Sequence, residues 1–432
     1  METITSIRQN TLFSNAIYPI LVGSLGFGTL SLGMIGNANI RIWEVLVLYI
    51  IAILIVKLLL GKKIIYPNRA AFLIIIPISI SIVISGINAY LVNTWLKQTV
   101  LLMAMFSLFI IVSQRWSREQ ILNNFKWIIY PGVLIAMWGI IETLFFPGKL
   151  PTHHTSFTTI PRAQSFFAEP NEFSEYLGLP FAFLLSSVLY SRKLKTWQRW
   201  MYVLAISTLL LAQILTFSRG GIIVFLSEIM MLLTLSWYYR IGKLSHIRMR
   251  NIIYLILILI IITLLLGPDL NNVFNVFVDR IQTLFSGNDP TSRIRLSGIL
   301  IALNESVKSP EIFLFGIGLG NLTRLLGEGV STTANLFVDI YTELGVLGLM
   351  SFILILIYCL LLSLSTLKYI VRKNDDEMLV MFIGSYLSLV GLIVGGLTYA
   401  THMLNIFWFC CGLLLALYHY KKVSEIGEAK YI

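Results

Sequence analysis

Residues 344–367 read LGVLGLMSFILILIYCLLLSLSTL and contain no charged side chain. Because a helix rises about 1.5 Å per residue, a run of this length can cross the roughly 30 Å hydrocarbon core of a bilayer. Comparable apolar runs lie at 15–35, 42–60, 70–92, 96–113, 124–147, 172–190, 201–217, 221–238, 252–267, 343–366, 377–398 and 403–419. We therefore predict an all-α integral membrane protein with about twelve transmembrane helices, forming a single polytopic domain over residues 1–432.

The composition of the chain excludes an ordinary soluble enzyme. Of its 432 residues, 57% are hydrophobic and 12% are charged, with a mean hydropathy of +0.83, whereas soluble domains carry about 25% charged residues. Three cysteines, Cys359, Cys410 and Cys411, lie in apolar runs and match no metal-ligand or disulfide spacing. We interpret them as packing residues and expect no nucleic-acid partner despite the formal charge of +11.

The distribution of Lys and Arg predicts the orientation in the membrane. With a cytoplasmic N-terminus, roughly two thirds of the 32 basic residues fall on the inner side, as the positive-inside rule requires. This favours cytoplasmic N- and C-termini. Two long segments, 148–171 and 268–342, are then extracytoplasmic, and the second forms a large outer loop between helices nine and ten. Most of the remaining basic residues lie in these two loops, where positive charge does not oppose translocation.

Arg219 is an exception, because it lies in a short outer turn, Ser218-Arg219-Gly220-Gly221, between two apolar runs. One interpretation is an interfacial arginine whose side chain extends to lipid headgroups. The other is an anion site, since the glycines leave room beside the backbone and the following helix N-terminus carries a positive dipole end. The planar guanidinium suits phosphate, to which it can make paired hydrogen bonds.

The segment 162–173, RAQSFFAEPNEF, combines capping signals with an unexplained arginine. Asn171 is a good N-cap for the next helix, and Glu172 in the first turn favours the helix dipole. Neither accounts for Arg162 on an outer loop, nor for Glu169 before the proline.

The large outer loop contains a predicted helix and a glycine-rich turn. Residues 290–303 form a predicted amphipathic helix with Arg293 and Arg295 near its start, and with Ile294, Ile299, Leu300 and Leu303 as its apolar positions. A solvated arginine pair is the alternative explanation for Arg293 and Arg295. The turn 315–321, FGIGLGN, follows no strand, so we expect a tight, close-packed turn rather than a dinucleotide site.

These pieces together resemble the O-antigen polymerase and O-antigen ligase superfamily, in the order that the family has them. Its motifs are an arginine followed by a phenylalanine and Pro-Asn, then Ser-Arg-Gly, a loop arginine, Phe-Gly-X-Gly-X-Gly-Asn, and an asparagine leading to Glu-X-Gly-X-X-Gly. The matching positions are 162–171, 218–220, Arg293 or Arg295, 315–321, Asn335 and 343–348. The resemblance covers roughly residues 160 to 350.

The resemblance implies a membrane glycosyltransferase of the bacterial plasma membrane, with the large outer loop over an extracytoplasmic active-site cavity. The donor would be an oligosaccharide on undecaprenyl diphosphate, with no metal or other cofactor. Arg162, Arg219 and Arg293 or Arg295 would bind the donor diphosphate, and Arg219 would also stabilise the leaving group. Asn171, Gly220, Gly316, Gly318, Asn335 and Glu343 would support them. A chain-length regulator, a flippase and membrane lipids would be partners.

The chain departs from the ligase pattern at Ala334, where ligases carry a histidine directly before the asparagine. The usual residue for activating the acceptor is therefore missing, and Glu169 is the leading candidate to act as the base in its place. His153, His154 and Glu172 are weaker ones, and the two histidines lack companion ligands for a metal. Glu142 and Glu228 interrupt apolar runs, and such residues are functional candidates by default.

Three functions stay open on the sequence alone. The first is a polymerase that joins lipid-linked repeat units into a surface polysaccharide, such as a capsule or exopolysaccharide. The second is a ligase that transfers the glycan to a lipid or protein acceptor. The third is a flippase or other transporter of lipid-linked oligosaccharides, which should show two related halves. The grouping of arginines on one face of the membrane favours an enzyme.

Overall fold

A computed structural model gives the fold of this chain. It describes residues 19–28, 31–35, 38–60, 69–114, 116–146, 162–239, 290–327 and 332–429. The predicted helix at 252–267, the histidines His153 and His154, and the outer segments 148–161 and 268–289 lie outside the described residues.

The described residues form a helical bundle with one small hairpin. Strands β1 (Ser31–Ile35) and β2 (Ala38–Arg41) pair antiparallel. The helices that surround the bundle or build it are α1 (Ile42–Leu59), α2 (Arg69–Ser85), α3 (Val92–Val112), α4 (Arg118–Phe145), α5 (Pro170–Tyr190), α6 (Thr196–Leu215), α7 (Arg219–Tyr239), α8 (Pro290–Ser306), α9 (Pro310–Phe315), α10 (Leu322–Leu326), α11 (Leu336–Lys373), α12 (Asp376–Gly395) and α13 (Asn405–Ala429).

Eight of the helices in the described ranges, α2 to α7, α11 and α12, are long and apolar enough to cross a membrane. The structure thus supports a helical, multi-pass membrane protein, while the count of twelve crossings stays a prediction. The run at 15–35 is wrong as a single helix, because residues 31–35 form β1 instead. Glycines at 23, 26, 28 and 33 weaken the helix there.

Helices α5 and α12 form the centre of the bundle. Every residue of α5 from Phe173 to Tyr190 is buried, and α12 is buried along most of its length. Glycines allow close helix contacts here, since an added Cβ at Gly384 would come within 2.6 Å of the Phe183 ring. The three cysteines are buried and free, as expected for packing residues.

The end of the bundle that holds the N-termini of α4, α6 and α12 is closed by ion pairs. Arg118 at the start of α4 donates to both carboxylate oxygens of Asp375 at 2.8 Å and to Glu377 at 2.6 Å. Lys193, in the turn between α5 and α6, also binds Glu377, at 3.2 Å. Three connections between helices are therefore fastened together at this end, which we call the ion-pair end.

Helix α8 confirms the predicted helix at 290–303, and most of its large apolar residues do not face the bundle. Ile294, Leu300 and Leu303 are exposed, whereas the small side chains of Ala302 and Ser306 are buried. The closest contacts of α8 are with α11, where small residues allow the two backbones to approach. The large apolar side chains therefore point outward, as on a helix that lies against a bilayer surface.

Candidate functional site

Arg162 and Asn171 are brought together at the end of the bundle opposite the ion-pair end. Arg162 donates through Nε to the Thr216 carbonyl at 2.7 Å and through Nη2 to Asn171 Oδ1 at 3.2 Å. Ser218 Oγ donates to the same Asn171 oxygen at 3.0 Å. The predicted segments 162–171 and 218–220 thus meet through one amide side chain.

Asn171 is not the N-cap of its helix, contrary to the capping prediction. Helix α5 begins at Pro170 after Glu169, whose side chain makes no capping hydrogen bond. Proline is well suited to the first position of a helix because its missing N–H is not needed there. Asn171 lies in the first turn instead, which leaves its side chain to hold Arg162 and Ser218.

Arg219 begins helix α7, directly after Ser218 in the chain. Ser218 Oγ accepts from the backbone N–H of Gly221 at 3.3 Å, so Ser218 caps the helix. The expectation that the two glycines leave room for a ligand is wrong. An added Cβ at Gly220 would lie 2.5 Å from Thr398 Oγ1, and Gly221 packs directly against Gln213 and Ser174. Both glycines serve the packing of α7 against its neighbours.

A cavity of about 320 Å³ opens beside this cluster. Its wall includes Arg41 at the end of β2, Glu172 in the first turn of α5, Asp339 and Glu343 on α11, and Tyr399 in the turn between α12 and α13. This volume lies at the lower end of the range for small-ligand sites in proteins. Segments far apart in sequence therefore build one polar cavity.

Glu172 and Tyr399 face each other in the cavity wall. The Tyr399 hydroxyl donates to Glu172 Oε1 at 3.0 Å, and the backbone N–H of Ala168 donates to Glu172 Oε2 at 3.3 Å. Arg41 lies close enough to attract the Glu172 charge, while Glu169 repels it. Burial and the neighbouring carboxylates raise the pKa of Tyr399 well above its ordinary value, so this phenol stays a hydrogen-bond donor.

Asp339 ties the end of the large outer loop to α11. Its Oδ1 accepts from the backbone N–H of Thr333 at 2.9 Å and from Thr333 Oγ1 at 2.5 Å, and its Oδ2 accepts from Thr332. Asn335 caps α11, since its Oδ1 accepts from the N–H groups of Phe337 and Val338. Ala334, at the position of the ligase histidine, is 9% exposed and offers no titrating group.

The glycine-rich turn 315–321 packs tightly against α11, as the sequence predicts. Gly316 has φ +76° and Gly345, where α11 is kinked, has φ +69°. An added Cβ at Gly316 would collide with the Glu343 backbone, and one at Gly345 would collide with Leu314. Backbone hydrogen bonds run from Ile317 to Thr342 and from Gly318 to Glu343, both at 3.0 Å. The turn is thus fixed to the kink.

Glu343 supports this turn with its side chain. The carboxylate accepts backbone hydrogen bonds from Gly320 and Leu322, at the start of α10. On the other side, Asn88 donates to the Gly316 carbonyl at 3.1 Å, and Asn321 Oδ1 accepts from the N–H of Leu91. The supporting roles expected of Gly316, Gly318 and Glu343 are therefore contacts between protein segments.

The two loop arginines, Arg293 and Arg295, differ in position. Arg293 is exposed, whereas Arg295 is half-buried. Arg295 interacts with the charge of Glu175, one turn after Glu172 on α5. Helix α8 therefore brings Arg295 within electrostatic reach of the first turns of α5.

A hydrogen-bonded group fastens α8 to the turn between α2 and α3. The Tyr90 hydroxyl donates to Glu305 Oε1 at 2.8 Å, and Lys308 pairs with Glu305 Oε2 at 2.5 Å. Burial raises the pKa of Glu305, but hydrogen bonds from Lys308 and Tyr90 outweigh it, so the pKa lies below its ordinary value. Arg324 stacks over the Tyr90 ring at 5.0 Å. These contacts hold the described part of the outer loop beside the cavity.

Three residues other than glycine adopt left-handed backbone conformations in the segments around the site. They are Ser165, Phe217 and Ala334, with φ of 52°, 50° and 59°. Each lies in a different connection, and each costs of order 1–3 kcal/mol unless its surroundings impose it. Strain of this kind is concentrated at functional sites, which supports the location of the site.

Several wall residues carry no signal in the sequence. Arg41 ends a hairpin that replaces part of a predicted helix, and Tyr399 and Asp339 stand in no motif. Glu169, the leading base candidate, is exposed and does not line the cavity, whereas the weaker candidate Glu172 does. Within the described ranges, no three His, Cys, Asp or Glu side chains form a group that could hold a metal ion.

Neither a protein-family model nor a curated protein matches this chain. The geometry of the site is therefore the basis for its functional interpretation.

Proposed function

We propose that this protein is a membrane glycosyltransferase that polymerises lipid-linked oligosaccharide repeat units into a surface polysaccharide. The observation that carries the proposal is the meeting of Arg162, Ser218 and Asn171 beside a cavity walled by residues 319–320, Thr332 and α11. These are the segments that resemble the O-antigen polymerase and ligase superfamily. They are far apart in sequence, and they converge at one end of the bundle.

The chemistry requires an anion site beside an acceptor site. Breaking a glycosyl-diphosphate bond develops negative charge on the leaving oxygens, which preorganised arginines stabilise. Arg162, bound to Asn171, and Arg219, the first residue of α7, would bind the diphosphate, with Arg295 as the loop arginine. The adjacent cavity would hold the sugar hydroxyl that attacks.

The orientation proposed from the basic residues agrees with this arrangement. The ion-pair end holds Arg118, Lys193 and their acidic partners, and would face the cytoplasm of a bacterium. The cavity would then face the extracytoplasmic side of the plasma membrane, where undecaprenyl-diphosphate-linked repeats are joined. A polymerase is favoured over a ligase because Ala334 replaces the ligase histidine.

The lipid-linked glycans of cells that lack this gene test the proposal. Single repeat units accumulating on the outer face of the plasma membrane would support a polymerase. Finished chains left on the lipid carrier would identify a ligase, and single repeats on the inner face would identify a flippase. An unchanged glycan profile would reject all three.

A further inference from the structure

The first turn of α5 carries two functions on consecutive residues. Asn171 accepts hydrogen bonds from Arg162 and Ser218, on the side proposed for the donor diphosphate. Glu172, the next residue, lines the cavity and accepts a hydrogen bond from Tyr399. A carboxylate therefore stands one residue from Asn171, the partner of Arg162, in the wall of the cavity.

We propose that Glu172 accepts the proton of the attacking sugar hydroxyl and that Tyr399 is a positioning residue for Glu172. This inference rests on the proposed glycosyl transfer, which it deepens by locating the acceptor site in the cavity. In the step, the acceptor oxygen bonds to the anomeric carbon while the bond from that carbon to the diphosphate oxygen breaks. The electron pair leaves with the diphosphate, and the hydroxyl proton passes to a Glu172 oxygen.

The other two carboxylates in the cavity wall, Asp339 and Glu343, already accept hydrogen bonds that hold protein segments in place. Asp339 accepts three hydrogen bonds from Thr332 and Thr333, which fix the end of the outer loop. Glu343 accepts backbone hydrogen bonds from Gly320 and Leu322. From the described residues, Glu172 accepts one hydrogen bond on each oxygen, so each oxygen keeps a lone pair for a further donor.

The surroundings of Glu172 fit a base that must be oriented. Tyr399 and the Ala168 N–H fix its two oxygens, and Arg41 attracts its charge from the cavity wall. Glu169 and Glu175 oppose that charge. A correctly placed general base contributes about 10² to 10⁴ in rate.

The matched variants Glu172→Gln and Glu169→Gln test the assignment. The substrate is the lipid-linked repeat unit extracted from membranes of the deletion strain, and the readout is the length of glycan made by purified protein. We expect Glu172→Gln to lower the rate by about 100-fold or more, and Glu169→Gln to lower it far less, because Glu169 is exposed and does not line the cavity. Equal rates for Glu172→Gln and wild type would overturn the proposal.

Chemical rescue separates a proton acceptor from a structural carboxylate. Glu172→Ala leaves space for a small external base, so we expect sodium formate to restore part of its rate, and sodium chloride at the same ionic strength to restore none. Rescue of Glu169→Ala instead, or rescue of neither variant, would contradict the role of Glu172. Failure of wild-type protein to lengthen the repeat would reject the proposed function itself.

Tyr399→Phe tests the positioning role without removing a carboxylate. Loss of the hydroxyl leaves Glu172 Oε1 without its orienting donor, so we expect kcat to fall about tenfold with KM for the lipid-linked donor unchanged, as for an interaction made only in the transition state. An unchanged kcat would show that Tyr399 does not position Glu172. This variant also tests the site if Glu172 variants fail to insert.

Discussion

Arg162 donates a hydrogen bond of 3.2 Å to Asn171 Oδ1, an atom that also accepts from Ser218. One amide oxygen thereby joins the loop before α5 to the turn before α7. The arrangement orients the Arg162 guanidinium, whose Nε is held by the Thr216 carbonyl.

Replacement of Arg162 or Arg219 by alanine should abolish the polysaccharide while leaving the protein in the membrane. Loss of one preorganised donor to a developing anion costs about 10² to 10³ in rate. Polymer length on gels and protein level in isolated membranes are the measurements. Lys97→Ala is a matched control, because Lys97 is an exposed cation at the same end of the bundle. Wild-type polymer in both arginine variants would remove the diphosphate assignment.

Gly345→Ala and Gly316→Ala should destabilise the protein strongly. Both positions have positive φ, and an added Cβ at either would collide with backbone atoms. The strain alone costs of order 1–3 kcal/mol, and the collision adds to it. Thermal unfolding in detergent measures the effect.

Two other glycines serve as controls for that measurement. Gly327 has φ +94°, and no described residue lies within 4 Å of an added Cβ, so Gly327→Ala reports strain without collision with the described residues. Gly298 lies within α8, where an added Cβ meets only Leu326 at 3.5 Å, and alanine there should be tolerated. Equal midpoints for all four variants would show that the turn 315–321 is not locked to the kink in α11.

Asp375→Asn should weaken the ion-pair end by about 1 kcal/mol, because the pair is partly exposed and solvent screens it. Hydrogen bonds from Arg118 hold the pKa of Asp375 below its ordinary value. The stabilisation is therefore present above about pH 4, the ordinary aspartate pKa, and is lost as the pH falls through the lower pKa of the folded state. Unfolding midpoints between pH 3 and pH 7 check this, with Glu425→Gln as an exposed control.

The carboxyl of Glu228 should be replaceable by a neutral amide but not by a cation. It is fully buried in the bundle, and neither oxygen has a hydrogen-bond partner among the described residues. Added Cβ atoms at Gly178 and Gly391 would come within 2.8 and 2.7 Å of its Oε1. We expect Glu228→Gln to insert normally, whereas Glu228→Lys places a larger charged group there, which costs several kcal/mol.

The amounts of the Glu228 variants in isolated membranes test this expectation. If Glu228→Gln disappears from membranes while Glu228→Asp remains, the position requires a carboxylate. The expectation that a neutral side chain of similar size can replace Glu228 would then be wrong.

The sequence by itself determined most of the long apolar helices and indicated which connections form the candidate site. An apolar run without charge, such as 344–367, is long enough to cross a bilayer. It must be helical there, because every backbone polar group in lipid has to be hydrogen-bonded within the segment. The order of Arg162, Ser218-Arg219-Gly220 and the glycine turn indicated which connections belong together. The turn itself was predictable because only glycine adopts positive φ without cost.

Only the tertiary structure decided which side chains line the same cavity. Arg41, Glu172 and Tyr399 come from a hairpin, the first turn of α5 and the turn after α12, and no spacing in the sequence relates them. The roles of Asn171 and Gly220 changed for the same reason. A local pattern predicts a cap or a gap, whereas the partner found there, here Ser218 for Asn171 or Thr398 for Gly220, comes from a distant segment through packing.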